Sequence, residues 1–357
     1  MESKPKRKDR FSYKIELHVH LDGAIRPQTV LELARKRGQH LETSNVEDLK
    51  ADIVLTKPSS LRKLLHSFKV FMPVVAGDRD AVKRIAYEFC EDCAKENIRY
   101  VEVRYSPHFL SNTQPMSEFD IAPGDFSPRD VVETVNESLK QGQKDFDIKV
   151  NSILCCITHR PEWSLEVAQL CKEYKADGVV AIDIAGEDFE PGKDPKECLH
   201  KQAFTEAYKS GIHRTVHAGE CGPSAGVKEA LDHMYAERIG HGYHVLEDPE
   251  LYERVLRDKI HLETCPISSI RTKACPEDIK KHPLLKFVKD ACNYSINTDD
   301  PIILDNNLTD DYETALDMGL TEDQVITGIF NAARSSFASA EDKKQILSDL
   351  VRVYGPH

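Results

Sequence analysis

Runs rich in Val, Ile and Tyr recur along the chain and alternate with stretches in which apolar residues return every three or four positions. The extended runs fall at residues 13–21, 98–105, 148–157, 179–185, 213–217, 238–241, 259–264 and 294–297. Between them, Val82, Ile85, Ala86, Phe89 and Cys93 follow the spacing of one helix face, and so do Val132, Val135 and Leu139. Pro128 after Ser127, Pro161, and Pro249 after Asp248 stand where helices start, because proline's fixed φ and missing N–H suit a first turn. Alternating strands and helices imply a parallel α/β sheet. Eight such units predict a closed (β/α)8 TIM barrel, and no Gly-x-Gly-x-x-Gly follows the first strand to favour an open doubly wound sheet.

Two surpluses remain. Residues 39–77 form a long insertion between the first and second strands, expected to be a helical cap over the barrel mouth, and residues 308–354 add helices after the last strand. No Pro-, Gly- or Ser-rich linker divides the chain, so residues 13–357 are expected to form a single domain behind a flexible tail of residues 1–12.

Composition narrows the function. The 357 residues carry 48 Lys plus Arg against 60 Asp plus Glu, a net charge of −12 that repels phosphate backbones and anionic membranes. Nucleic acid is therefore not an expected partner. Lys4, Lys6, Arg7, Lys8 and Arg10 lack apolar periodicity and read as a solvated tail. No apolar run approaches the length of a membrane span, and none follows Met1 as a leader, which predicts a cytoplasmic chain. Ten scattered Cys are expected as reduced thiols, with Cys90 and Cys93 packing in a helix.

The strand ends are polar in a way that packing does not require: His18-Val19-His20-Leu21-Asp22, His217-Ala218-Gly219-Glu220, His241-Gly242-Tyr243-His244 and Asn297-Thr298-Asp299-Asp300. In a barrel the C-terminal strand ends form the active-site face, so these clusters converge. His18 and His20 lie two apart and share a face of one strand. Alone such a pair is a weak signal, but with His217 and Asp299 it makes three imidazoles and a carboxylate. That set suits one Zn²⁺ with an open position for water, a catalytic arrangement. Glu220, freed to turn by Gly219, is the candidate proton donor, and His241 a second candidate acid or base. Asp183 and Glu263 are candidate partners that fix imidazole tautomers. Residues 178–186 contain no Lys to bridge two metals, and neither H-x-E with P-C-x-x-C nor a second C-x-x-C is present.

These residues, with the stretches at 16–23, 100–107, 152–156, 211–220, 240–244 and 297–301, resemble the adenosine deaminases, of the type found in the vertebrate cytosol. The resemblance covers nearly the whole chain. It implies hydrolysis of adenosine and 2′-deoxyadenosine to their inosine forms and ammonia, in purine salvage, by attack of zinc-bound hydroxide on the amine-bearing carbon. It places His18, His20, His217 and Asp299 on the metal, Glu220 on a ring nitrogen and His241 beside the water. Asp300 and the backbone N–H of Gly186 would hold the remaining ring nitrogens, and Asp22 with His20 the ribose hydroxyl. An apolar gate over the mouth would comprise Leu61, Leu64, Leu65 and Phe68, with Leu64 where an aromatic residue is expected.

Two other readings compete. A deaminase of N6-substituted AMP would share the metal site and need a phosphate-binding cluster, for which Arg104 and Arg160 are the candidates. A catalytically silent relative acting as a growth factor should depart at the metal site, and this chain does not. Association with a cell-surface protein is compatible with the sequence but not readable from it.

Overall fold

The computed structural model describes residues 10–114, 116, 119–187 and 198–357. Eight strands, β1 (Lys14–His20), β2 (Ile98–Tyr105), β3 (Lys149–Ile157), β4 (Val179–Ala185), β5 (His213–Ala218), β6 (Arg238–His241), β7 (His261–Thr264) and β8 (Tyr294–Ile296), pair in sequence order, each parallel to the next. All eight predicted strands form, and no boundary is displaced by more than two residues. With helices between the strands, this is a TIM barrel.

β1 and β8 close the barrel through chain just beyond β8. His20 N donates to Asp299 O at 2.9 Å and Asp299 N donates to His18 O at 3.1 Å. The Asn297 carboxamide accepts from Leu17 N at 2.9 Å, and Glu16 accepts from Thr298 N at 2.9 Å. The seam thus joins the two segments that carry His18, His20 and Asp299.

Between β1 and β2 lie four helices, α1 (Pro27–Arg37), α2 (Val46–Ile53), α3 (Leu61–Val75) and α4 (Arg79–Lys95). The predicted cap segment contains α2 and α3. Ser60 caps α3 by accepting from Lys63 N at 3.2 Å, and Leu64, Phe68 and Phe71 bury one face of the helix. Cys90 and Cys93 are buried in α4, as packing residues. Pro128, behind a capping box made by Ser127 and Asp130, opens the helix Pro128–Phe146.

The last three helices are Leu308–Met318, Glu322–Ser335 and Ala340–Tyr354. Phe337, between the last two, sits under the Arg238 guanidinium at 3.8 Å and stacks on His213 at 4.5 Å, plugging the barrel floor. Packing also begins earlier than the predicted tail boundary at residue 12. Phe11 is buried edge-on to Tyr312 at 5.2 Å, and Arg10 pairs with Glu322 at 2.8 Å. Phe11 supplies an apolar surface that a polar tail lacks, and this is where the body starts; residues 1–9 lie outside the described residues. Among the described residues no helix is long and apolar enough to cross a membrane.

His261 on β7 is fully buried. Its Nδ1 donates to the Asn293 carboxamide oxygen and its Nε2 accepts from the Ser295 hydroxyl, both at 2.8 Å, so the neutral ring is satisfied. Burial pushes its pKa down to about 4. The unfolded chain therefore binds a proton that the folded chain refuses between about pH 6.5 and 4, and stability falls as pH drops through that window, by up to about 3 kcal/mol from this group. Denaturant midpoints measured from pH 7 to 4 should decline less steeply in His261→Gln than in the wild type; identical slopes would remove this imidazole as the cause.

Candidate active site

The polar strand ends surround a cavity of about 370 Å³ at the C-terminal face of the barrel, roofed by Leu61, Leu64, Leu65 and Phe68 of α3. His20, Asp22, Gly186, His217, Glu220, His241, Asp299 and Asp300 all line it, while His18, Asp183 and Glu263 lie directly behind that lining. Every predicted site residue is thus brought to one place.

The donors of His18, His20, His217 and Asp299 lie within 4.8 Å of one another. Asp299 Oδ1 is 3.2 Å from His18 Nε2 and 3.4 Å from His20 Nε2, and the Nε2 atoms of His20 and His217 are 3.3 Å apart. The partners behind them decide the tautomers. Glu263 accepts from Arg104 at 2.8 Å and Arg238 at 2.7 Å, so it is an ionised acceptor, and His18 Nδ1 must be the donor in their 2.8 Å contact. Asp183 likewise accepts from Arg104 at 2.8 Å, and His217 Nδ1 donates to it at 3.0 Å. The Nε2 lone pair of His18 therefore faces Asp299 Oδ1, and that of His217 faces His20 Nε2. His18 Nε2 has no hydrogen-bond partner among the described residues. Lone pairs gathered around a carboxylate repel one another unless a cation lies between them, and this donor set suits a divalent metal ion. In a second, overlapping grouping His241 and Cys265 join His18 and Asp299.

Burial opposes ionisation at Asp183, Glu263, Asp299 and Asp300, and neighbours settle each outcome. Asp299 is held well below the ordinary range by the His18, His20 and His241 imidazoles around it, and Asp183 below it by His217 and Arg104. Arg104 and Arg238 hold Glu263 low. At Asp300 burial is reinforced by the charges of Asp299 and Asp22, and its pKa lies well above the ordinary value. Burial also lowers the His217 and His241 imidazoles. Asp22 Oδ1 and Asp300 Oδ1 are buried with no hydrogen-bond partner among the described residues, leaving two carboxyl oxygens of the cavity wall open to a ligand.

Backbone geometry aims these groups. Asp299 has φ 73° and His241 φ 66°, left-handed conformations that cost non-glycine residues of order 1–3 kcal/mol each and cluster at functional sites. The turn at Asp299 sends its side chain to the histidines while Asp300 faces the cavity. Gly219, φ 63°, turns Glu220 inward, and a Cβ there would meet Val227 Cγ2 at 2.7 Å. Glu220 lies 3.6 Å from His241 Nε2, which is itself 4.0 Å from Asp299.

Other participants were not found by sequence reasoning. The Ser268 hydroxyl donates to Asp299 Oδ2 at 2.7 Å, and Thr272 Oγ1 lies 3.3 Å from Glu220 Oε1. Both come from the segment after β7, where only their spacing of four on one helical turn would hint at a shared face. Phe109, Phe119 and His159 complete the mouth. The two arginines proposed as phosphate contacts do not serve that purpose. Arg104 is fully buried behind the ligands, because interior positions of β2 alternate Tyr100, Glu102, Arg104. Arg160 lies over the Trp163 ring at 4.0 Å and pairs with Glu162, outside the cavity lining.

Comparison with known proteins places this arrangement. Residues 13–353 match the family described as adenosine deaminase. The chain is 50% identical over 350 residues to adenosine deaminase of Danio rerio, covering 96% of this chain and 95% of that protein. A Burkholderia ambifaria amidohydrolase structure with bound Zn superposes with TM-score 0.81 at 25% identity, covering 96% of this chain and 90% of that one. The Arabidopsis N6-mAMP deaminase superposes with TM-score 0.78 at 26% identity, covering 95% and 98%. A match over nearly the whole length, carried by a barrel whose polar strand ends form one candidate metal centre, shows that the chain belongs to the adenosine deaminase family.

Proposed function

We propose that this protein hydrolyses adenosine and 2′-deoxyadenosine to inosine and 2′-deoxyinosine with release of ammonia, as a zinc-dependent enzyme of purine salvage. The observation that carries the proposal is the convergence of Glu220, His241 and the four-donor cluster in a single apolar-roofed cavity. Zinc is favoured by three nitrogen donors with one carboxylate and by the zinc bound in the Burkholderia relative. Held by His18, His20, His217 and Asp299, it would supply Lewis-acid activation of water near neutral pH.

The chain's own groups then have distinct tasks. Glu220 protonates the ring nitrogen beside the amine-bearing carbon, which makes that carbon electrophilic. Thr272 steadies its carboxyl from the far side. His241, between Glu220 and Asp299, orients the attacking water and moves its proton. Asp300 and the Gly186 N–H hold the other purine nitrogens, and the unpartnered Asp22 Oδ1 with His20 takes a ribose hydroxyl. Leu61, Leu64, Leu65 and Phe68 exclude bulk water, which strengthens every polar contact beneath them. Ten cysteines, none of them in a disulfide, fit a reducing, cytoplasmic setting.

Turnover, read as loss of adenine absorbance with release of ammonia or, from N6-methyl-AMP, methylamine, should be confined to adenosine and 2′-deoxyadenosine in a panel that includes AMP and N6-methyl-AMP; a preference for the 5′-phosphates would move the protein to the nucleotide branch. Glu220→Gln should retain zinc and bind nucleoside while losing on the order of 10²–10⁴-fold in kcat. Near-normal turnover would show that another group delivers the proton. His217→Ala should lose metal on dialysis, and stoichiometric zinc by elemental analysis would remove His217 from the ligand set.

A further inference from the structure

We propose that Arg104 is a positioning residue for the metal centre, a single guanidinium that sets two of its three histidines at once. The inference rests on the assignment of His18, His20, His217 and Asp299 as ligands and adds a residue that touches none of the reacting atoms.

Arg104 is fully buried, and its register opposite His20 points it into the barrel axis. Nη1 donates to Asp183 Oδ2 at 2.8 Å, and Nη2 donates to Glu263 Oε2 at 2.8 Å. Asp183 is the carboxylate that receives His217 Nδ1, and Glu263 the one that receives His18 Nδ1. Nη2 also donates to the carbonyl of Leu17 at 2.6 Å, anchoring β1 one residue before His18. One rigid fork therefore fixes the backbone beside one ligand, the ring orientation of that ligand, and the ring orientation of a second ligand four strands away.

Arg238, the other guanidinium on Glu263, has no equivalent reach. It bonds Glu263 through Nε at 2.7 Å and Glu102 through Nη1 at 2.6 Å, and its contacts run toward the barrel floor. Only Arg104 joins the two carboxylates that hold ligands. Its chemistry is specific, because a planar guanidinium presents donors in two directions from a fixed frame, whereas a lysine ammonium is one point of charge on a shorter reach. With lysine at this position one carboxylate loses its donor, and the histidine hanging from it loses its fixed orientation.

The test is zinc affinity, measured by chelator competition on the full chain, for the wild type, Arg104→Lys and Arg238→Lys, with circular dichroism to establish that each is folded. Arg104→Lys should bind zinc about 10–100-fold more weakly than the wild type, the cost typical of removing a group that orients a metal ligand, with Arg238→Lys affected less. The visible spectrum of the cobalt-substituted protein should change in Arg104→Lys, because the ligand field reports histidine geometry and a general loss of stability would leave it unaltered. Should Arg104→Lys fail to fold, Glu263→Gln with Asp183→Asn tests the same link, and the double variant should weaken zinc by more than either single change. Folded Arg104→Lys with wild-type zinc affinity and an unaltered cobalt spectrum would overturn the inference. A wild-type chain that binds no zinc would overturn instead the ligand assignment beneath it.

Discussion

A carboxylate with no exposed surface survives in a fold only where cations and hydrogen-bond donors surround it, and Glu263 in the barrel axis is such a group. Arg104, Arg238, Thr215 and His18 all direct donors at it. Barrel interiors are ordinarily filled by layers of Val, Ile and Leu. Here β2, β4, β6 and β7 spend interior positions on Glu102, Arg104, Asp183, Arg238 and Glu263. Glu102 is itself acceptor-only, taking donors from Tyr100, Arg238 and the Phe337 backbone, so the chain of charge reaches from the floor plug to the histidines. A divalent cation among the four donors would offset negative charge that these carboxylates bring into a region of low dielectric.

The same residues close the fold. β1 and β8 share few backbone bonds, and the bonds that join them involve His18, His20 and Asp299. Asp299 reaches this position through a left-handed backbone, a strained conformation that the surrounding bonds over-determine. Completing the barrel and assembling the donor cluster are therefore one structural event, and metal binding there stabilises the seam as well as the site.

Much of this was legible in the sequence for physical reasons. Strands buried on both faces must be apolar and β-branched, so the eight runs stood out, and a two-residue repeat put His18 and His20 on one face before any coordinates existed. Proline after Ser127 and after Asp248 marked helix starts because the first turn tolerates its missing N–H. Arg104 was a candidate phosphate contact for the competing nucleotide reading, although the alternation Tyr100, Glu102, Arg104 within a strand buried on both faces already placed it inside, where charges neutralise each other. Ser268 and Thr272 carried no such signal, since nothing local distinguishes a hydroxyl that will meet Asp299 or Glu220 from one that caps its own helix. Phe11 was assigned to the tail because its neighbours are polar, and only the position of Tyr312 more than 300 residues later gives it a surface to bury.

Floor and mouth of the cavity are held by interactions of different strength. Beneath the site the ion pairs are fully desolvated, and removing one partner from such a pair costs about 3–5 kcal/mol. Above it, Arg62 of α3 pairs with Glu187 after β4 at 3.1 Å, but both side chains are more than half exposed, and a pair of that kind contributes at most about 1 kcal/mol. The other α3 residues over the cavity are Leu61, Leu64, Leu65 and Phe68 with His66 and Lys69, and the apolar contacts among them are not directional. Rigidity is therefore concentrated where nitrogen and oxygen donors must stay within ångströms of one another. The roof can give way for a substrate to enter without disturbing them.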